Sequence, residues 1–464
     1  MAIDSEVLVV GGGLAGITAA ISAAREGADV RLISHKASTL RQASGLIDAL
    51  GYLPPTEPAK PLREGPPTAG RGIDPDEWDD PEGPLSDPFA AIDRLPEEHP
   101  YRILGADALR DGLALFDDLV GDAYLGGHTD RNALLPTFGG SVKPTARYPR
   151  SAAAGLASDD AATLIVGFRS LTEYDARTFV DRLAAAGVPF PVAGAEVEFA
   201  EAFRADAKIT RTAKALDEDE PIDGTPAREA LARAVSPHLH DVVDAEGGVD
   251  RVDRVGFPAF LGDEHAAAVR AELADRLGAD VFEIPMGPPS LPGLRLEDRL
   301  YEALDAEGAR FETGNPVVDV AVDGGRVDHV LVDRKGRTVP YSADTFVVAT
   351  GGLVGKGLDS DRDGVSEVAF DLHVPQPTDR YEWFVDDAFG EQPYARFGVR
   401  PNERGQPLDA TGEVQYDNVF AAGSVVGGAD VAREKSASGV SLATGVVAGR
   451  EAAAVVSRTT EARQ

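Results

Sequence analysis

Residues 6–33 read EVLVVGGGLAGITAAISAAREGADVRLI, and their order decides the fold. Glu6–Val10 is a short apolar run with strand character, Gly11-x-Gly13-x-x-Gly16 is a glycine fingerprint, and Ile17–Glu26 is an alanine-rich helical stretch. Gly27 ends that stretch and Asp29–Ile33 is a second strand. The spacing predicts a strand–loop–helix–strand unit of roughly 30 residues that binds a dinucleotide. Gly11, Gly12, Gly13, Leu14, Ala15 and Gly16 are its expected contacts. Glycine there serves the tight turn, backbone approach to a pyrophosphate and close helix packing. The helix N-terminus, worth about half a positive charge, faces the phosphates.

The end of the second strand narrows the ligand. An acidic residue there would hold a ribose hydroxyl of NAD. Ser34 stands in its place, followed by His35 and Lys36. A serine hydroxyl still bonds ribose, with about 1 kcal/mol net, so NAD-type recognition is poorly supported.

Two distant segments also carry readable elements. Strand-like Pro316–Val322, Arg326–Val332 and Thr338–Tyr341 form a meander with an Asp-Gly-Gly turn, and Thr345–Ala349 is a strand closing on Thr350-Gly351-Gly352. Near the chain's other end, Asn418–Ser424 reads as a strand reaching Gly423 and Ser424, and Gly439, Val440 and Ser441 open a final helix. In their order these parts resemble the second half and the C-terminal end of an FAD domain, and that resemblance implies cofactor contacts at Val317, Ala349, Thr350, Gly351, Gly423, Ser424, Gly439, Val440 and Ser441.

Composition bounds the rest. The chain has 464 residues, enough for one main domain plus a cap, and 43% are hydrophobic, enough for a sizeable core. The net charge of −33 argues against nucleic acid or an anionic membrane as a direct partner. There is no cysteine, which excludes a disulfide, a thiolate nucleophile and a cysteine-held iron–sulfur cluster within the chain. Abundant Asp and Glu with only eight lysines resemble the proteome of a salt-loving organism; at 1 M salt a Debye length of about 3 Å screens such self-repulsion. Met1 leads into a strand without a basic targeting region, and no run of about 18 apolar residues stands out, so no transmembrane segment and a cytoplasmic location are expected. No metal site is expected either. Asp359-x-Asp361-x-Asp363-Gly364 starts like a calcium loop but has Phe370 where a bidentate Glu is needed, and His238-x-His240 has no second ligand cluster.

The expected fold class is α/β, a Rossmann-like nucleotide-binding domain with a β-meander plus an α+β cap. Residues 1–130 form its first part, with a Pro-rich acidic insertion over 51–100. Residues 131–290 form the cap, 291–352 the second part, 353–410 a cap-side segment and 411–464 the third part. Leu104–Gly121 and Leu294–Glu307 read as helices, and Pro285–Pro292 as a stiff connector.

The Ser34-x-Lys36 pattern followed by Gln42-Ala43-Ser44-Gly45 resembles flavoproteins of the succinate dehydrogenase/fumarate reductase superfamily. That resemblance implies FAD, with Ser44 and Gly45 beside it. No His lies between Lys36 and Gly45, so the flavin is expected to be non-covalent. Further strings resemble the B subunit of anaerobic glycerol-3-phosphate dehydrogenase over nearly the whole chain: Leu135-Pro136-Thr137 with Lys143-Pro144-Thr145, Pro288-Pro289-Ser290 through Arg295-Leu296, and Arg380-Tyr381-Glu382-Trp383 through Phe397-Gly398-Val399. This implies a flavoprotein subunit that oxidises glycerol 3-phosphate to dihydroxyacetone phosphate. Its implied partners are a larger FAD subunit and an iron–sulfur subunit feeding membrane quinone, through which the chain would be peripheral to the membrane. FMN is described for the family; the full fingerprint and the Val317 and Thr350 segments favour FAD, whose AMP half they would serve. Lys143 and Arg295, with Arg147 and Arg150 nearby, are candidate cations for the substrate anion, and His373 and Arg380 candidate catalytic groups. Two other readings stay open: a non-catalytic electron relay in the same complex, and a fumarate reductase-like flavoprotein acting on a dicarboxylate.

Overall fold

The computed structural model describes residues 3–54, 81–171, 174–199, 209–242, 251–287, 290–387 and 390–463. In chain order the main elements begin with β1 (Ile3–Val10), α1 (Leu14–Arg25), β2 (Val30–Ser34) and α2 (Ala106–Val120). Then come β3 (Thr163–Phe168), α3 (Ala176–Ala185), β4 (Val192–Val197), α4 (Ile209–Asp217), α5 (Ala227–Val235), β5 (Arg254–Pro258), α6 (Ala266–Leu277) and β6 (Asp280–Ile284). The chain finishes through α7 (Leu291–Ala306), β7 (Arg310–Thr313), β8 (Val317–Asp323), β9 (Arg326–Arg334), β10 (Arg337–Val348), β11 (Val419–Ala421) and α8 (Ala437–Arg463). They fall into two compact units. One holds Met1–Thr39, Asp48–Val120 and Arg299–Gln464; the other holds Leu40–Ile47 and Gly121–Asp298.

The first unit is built on a seven-stranded sheet of order β7–β2–β1–β10–β9–β8, with β11 also on β10. β1 is an unbroken apolar run because both faces are covered, and Val7, Leu8 and Val9 are fully buried. Its parallel register aligns Val10 with both Ile33 and Val348, and Val348 with Ala421. The carboxyl ends of four strands therefore meet at one edge, where open α/β sheets bind ligands. The two strands expected over 338–341 and 345–349 are one. β10 pairs antiparallel with β9 over its first half and parallel with β1 from Tyr341 onward. No turn residue separates the halves, so the ladder simply changes partner.

α1 is buried on nearly every side, between the sheet and α8, which accounts for its Ala-rich sequence. α8 corrects one expectation. Its segment Ala437–Thr459 is long and apolar enough, by composition, to cross a membrane. Two-thirds of it is buried, packed on α1 and α2, so its apolarity serves this core. The approach is close: a Cβ on Gly449 would stand 2.3 Å from the Ala19 carbonyl oxygen. Gly449→Val is expected to force the helices apart and cost about 3 kcal/mol, outweighing the few tenths gained in helix propensity. Thermal unfolding at constant salt would show it as a lowered Tm.

The expected acidic insertion is only partly solvated. Residues 55–80 lie outside the described residues, but Leu53, Ala91, Ile92, Leu95 and Tyr101 around them are buried. Short apolar residues among the prolines anchor this stretch, and the Glu434 carbonyl accepts the N–H groups of Gly51 and Tyr52 at 2.8 and 3.0 Å.

The second unit has a four-stranded sheet of order β6–β5–β3–β4, wholly parallel, flanked by helices. Small antiparallel pairs, such as Ala133–Pro136 with Val142–Thr145, lie outside it. The expected mixture of helices and strands thus contains a second doubly wound layer. Its core joins Leu164, Val166 and Phe168 to Val255, Phe257, Leu273 and Leu277.

Candidate FAD site

The fingerprint loop leaves β1 in a conformation that only glycine tolerates easily. Gly11 has φ +123°, and a Cβ there would lie 2.0 Å from the Ala349 carbonyl oxygen. Its N–H donates to the Ile33 carbonyl at 2.8 Å, while the N–H of Ala349 donates to the Val10 carbonyl at 2.8 Å. A Cβ on Gly16 would meet the Gly11 carbonyl oxygen at 1.8 Å. Gly13 differs: it is the extended N-cap of α1, and a Cβ there meets nothing within 4 Å. The loop is closed behind and open in front. No acidic residue occupies the first turn of α1, so its positive end is left to a ligand.

One groove runs along this edge. Gly11, Gly12, Gly13, Ser34, His35, Lys36, Asn315, Val317, Ala349, Thr350, Gly351 and Lys356 line it. Two of the chain's eight lysines are among them, a pronounced bias in a chain of net charge −33. The Ser34 hydroxyl donates to the Lys36 carbonyl at 2.7 Å, which leaves its oxygen free to accept. The N–H of Asn315 donates to the Ser34 carbonyl at 3.1 Å, drawing the Val317 segment alongside.

The C-terminal parts reach the same loop. A Cβ on Gly423 would lie 2.6 Å from the Ala15 Cβ and 3.9 Å from the Ser441 hydroxyl oxygen. The N–H of Gly423 donates to the Thr444 hydroxyl at 2.8 Å. Exposed Ser424 is adjacent to the turn after β10, since its carbonyl oxygen lies 2.7 Å from where a Gly352 Cβ would be. Gly439 has another task. Its N–H donates to the Asp48 carbonyl at 2.7 Å, and a Cβ would meet the Tyr101 hydroxyl at 2.2 Å, so here glycine serves packing. Val440 beside it is buried.

Other expected residues do not line this groove. Ser44 and Gly45 belong to the second unit, where a Cβ on Gly45 would lie 2.7 Å from the Pro292 Cβ. Lys143 is half-buried in a hairpin there, paired in register with Leu135. Arg295 is committed: its guanidinium pairs with Glu283 at 2.6 Å. Arg147 is buried and donates to the Ala146 carbonyl, and Arg150 donates to the Asp122 carbonyl at 2.6 Å. His373 lines a separate open depression with Asp371, Gln376, Asp409 and Gln415. Arg380 is exposed in a short turn and does not line the groove. Pro288 and Pro289 lie outside the described residues.

Two supports had no sequence signal. The Tyr301 hydroxyl donates to the Gly12 carbonyl at 2.9 Å, propping the loop from α7. Buried Glu367 lies beside Thr350, 3.4 Å from its hydroxyl. Burial pushes the Glu367 carboxyl pKa up, against hydrogen bonds from the N–H groups of Phe370 and Ala369.

A glycine-walled, lysine-rimmed groove at the carboxyl ends of parallel strands, reached by three separate chain segments, defines a dinucleotide-binding flavoprotein. Residues 6–440 match the FAD binding domain family. A probable B subunit of anaerobic glycerol-3-phosphate dehydrogenase from Halobacterium salinarum is 52% identical over 98% of this chain and 99% of its own length. The B subunit of anaerobic glycerol-3-phosphate dehydrogenase from Pectobacterium atrosepticum is 27% identical over 94% of this chain and 96% of its own. That of Vibrio cholerae is 26% identical over 95% and 94%. The chain belongs to the family of anaerobic glycerol-3-phosphate dehydrogenase B subunits, within the FAD binding domain family. The relatives are named as subunits of a larger enzyme, which implies partner subunits. FAD is the cofactor. The open face of Gly13 and the lysines fit a pyrophosphate, and the groove continues to Val317, where FMN has no part to place. The acid-rich, lysine-poor composition fits a relative in Halobacterium.

Proposed function

We propose that this chain is the flavin-carrying B subunit of a quinone-linked anaerobic dehydrogenase that oxidises glycerol 3-phosphate to dihydroxyacetone phosphate. The observation that carries the reading is the end-to-end 52% identity to the Halobacterium relative. FAD, when bound, supplies a ring that accepts hydride from an alcohol carbon. The chain's own residues bind and orient it. Gly11–Gly16 and the start of α1 hold the pyrophosphate, with Lys36 and Lys356 beside it; Ser34 accepts from a ribose hydroxyl; Val317 and Asn315 border the adenosine end. The first turn of α8, brought to Gly423 by Ser441, turns a second positive helix end toward this region and favours negative charge on a reduced ring. Ser34→Ala is expected to weaken FAD about fivefold, the loss of roughly 1 kcal/mol. Fluorescence titration of deflavinated protein would measure it.

With no cysteine, the chain holds no cysteine-ligated iron–sulfur cluster, so its electrons leave from the flavin itself. The partners proposed are a larger FAD subunit and an iron–sulfur subunit, which hold the chain at the cytoplasmic face of the membrane. The placement of His373 and Arg380 outside the groove favours a second reading, in which a partner holds the substrate and this chain relays electrons. Anaerobic mixing with glycerol 3-phosphate separates the two. Bleaching of the flavin band near ~450 nm in the isolated chain supports the first, and bleaching only with the partner subunits supports the second. A flavin that stays oxidised in the assembled complex overturns both.

A further inference from the structure

The end of the groove bordered by Asn315 and Val317 is shaped by a carboxylate that stands behind it. Glu312 lies on the edge strand β7, opposite Ile33 of β2. Four side chains converge on it. Arg31 of β2 donates to its Oε1. The Tyr341 hydroxyl of β10 donates to Oε2 at 2.8 Å, Arg334 of β9 comes within 3.5 Å of the same oxygen, and the Asn315 side-chain amide donates to it at 3.3 Å. The side chains of Arg31 and Glu312 are only 12% and 19% exposed, so this is a fixed pair rather than a loose surface contact. Burial first, then the hydrogen bond to Glu312, pushes the Tyr341 hydroxyl up to about 12, so it stays a donor.

The network sets which way the Asn315 amide faces. An ionised carboxylate only accepts, so the NH2 of Asn315 is turned to Glu312. Its Oδ1 is the side-chain polar atom that remains to a residue lining the groove, and it has no partner among the described residues. The neighbouring donors are spent. The backbone N–H of Asn315 goes to the Ser34 carbonyl at 3.1 Å, Pro316 has no N–H, and the Ser34 hydroxyl gives its hydrogen to the Lys36 carbonyl at 2.7 Å. The corner made by Ser34, Asn315 and Pro316 therefore offers a ligand acceptors only. A ribose hydroxyl both donates and accepts, so such a corner does not select it. Purines differ: adenine carries an exocyclic amino donor where a 6-oxopurine carries a carbonyl acceptor. A corner of acceptors pairs with the first and leaves the second facing like polarity.

We propose that Asn315 Oδ1 accepts a hydrogen bond from the exocyclic amino group of the FAD adenine, and that Glu312 is the positioning residue that turns the amide to do so. The inference rests on the reading that this groove holds FAD with its adenosine end at Val317. The test compares FAD with its hypoxanthine analogue, in which a carbonyl replaces that amino group, by fluorescence titration of the deflavinated full chain in molar KCl. The wild type is expected to bind FAD at least about fivefold more tightly than the analogue. Asn315→Leu should erase that preference. Glu312→Gln should instead strengthen the analogue, by about threefold. There Arg31, a donor only, keeps the new carbonyl, the new NH2 faces Asn315, and Asn315 turns its own NH2 to the groove. A damaged fold cannot produce that gain. Equal binding of the two flavins by the wild type overturns the proposal, as does a preference that survives in Asn315→Leu. Glu312→Gln that weakens both flavins alike removes the positioning role. If Asn315→Leu does not fold, the wild-type preference and Glu312→Gln still decide. Gly13→Asp tells this failure from that of the groove. Equal binding by the wild type with loss of both flavins in Gly13→Asp leaves the groove standing and strikes only Asn315. Undiminished binding of both in Gly13→Asp strikes the groove, and the proposal with it.

Discussion

Replacing Gly13 by Asp is expected to strip the chain of FAD while leaving the apoprotein as stable as before or slightly more so. Gly13 is the N-cap of α1 in an extended conformation, and a Cβ there meets nothing within 4 Å, so the fold accepts the side chain without strain. Asp is also a better N-cap than Gly by a few tenths of a kcal/mol. Its carboxylate would stand where the pyrophosphate has to come and would bring like charge to it. Affinity should fall by at least about 100-fold, equivalent to roughly 2.7 kcal/mol. Flavin content after purification and fluorescence titration of the deflavinated variant would measure the loss, and thermal melts of the two apoproteins would show the unchanged fold. A Gly13→Asp protein that retains stoichiometric flavin would remove the pyrophosphate from this loop. Gly11→Ala would be a poorer experiment, because its overlap with Ala349 damages fold and site together.

The second large effect is expected in the other unit. Glu283→Ala should cost about 3–5 kcal/mol, because it removes the hydrogen-bonded counter-charge of Arg295 and leaves only the exposed Asp263 carboxylate, 4.0 Å from its Nε. The side chain of Glu283 is 1% exposed and that of Arg295 20%, so salt screens the pair little, in contrast to the chain's many surface pairs. The pair also fixes a pH dependence. Burial by itself would raise the Glu283 carboxyl pKa, but Arg295 and the hydrogen bonds from Ser151 and Leu261 hold it below the usual carboxylate range. A depressed acid adds stability that is fully present above its unfolded value, about 4.3, and lost as pH falls through the lower folded value. Melts between pH 3 and 7 should therefore show an acid-side loss in the wild type that is smaller in Glu283→Ala, where the other depressed acids, such as Asp175 and Glu272, remain. Equal Tm values at pH 7 would show that the pair contributes nothing.

What could be read from the sequence divides along physical lines. The fingerprint, the meander and the strand ending at Gly423 were legible because each is local: spacing and turn residues specify them within a few positions. Glycine at distant places also signals close backbone approach, and Gly11–Ala349 and Gly423–Ala15 supply it, although only the first of these pairs borders the groove. Gly439 shows the limit of that logic, because a glycine that admits Tyr101 looks the same in sequence as one that admits a ligand. Arg295 shows another. A cation in a motif is read as free for substrate, and only the fold reveals that Glu283, on a different strand, already holds it. Tyr301 and Glu367 act on the groove from elements whose position depends on the whole sheet, so no periodicity marks them. The apolar character of α8 was hidden because glycine, serine and threonine interrupt it, and two of those glycines, Gly445 and Gly449, are the ones that let it lie against α1.

β10 carries a consequence for how this protein is made. β1 leaves the ribosome more than 300 residues ahead of its second neighbour, whose Tyr341 stands opposite Ile3. The last helix, which covers α1, comes later still. The nascent N-terminus must therefore wait with its most apolar strand half-paired, the kind of long-range closure that folds slowly and invites aggregation. Cofactor loading belongs after that closure, and a protein without α8 should never acquire colour.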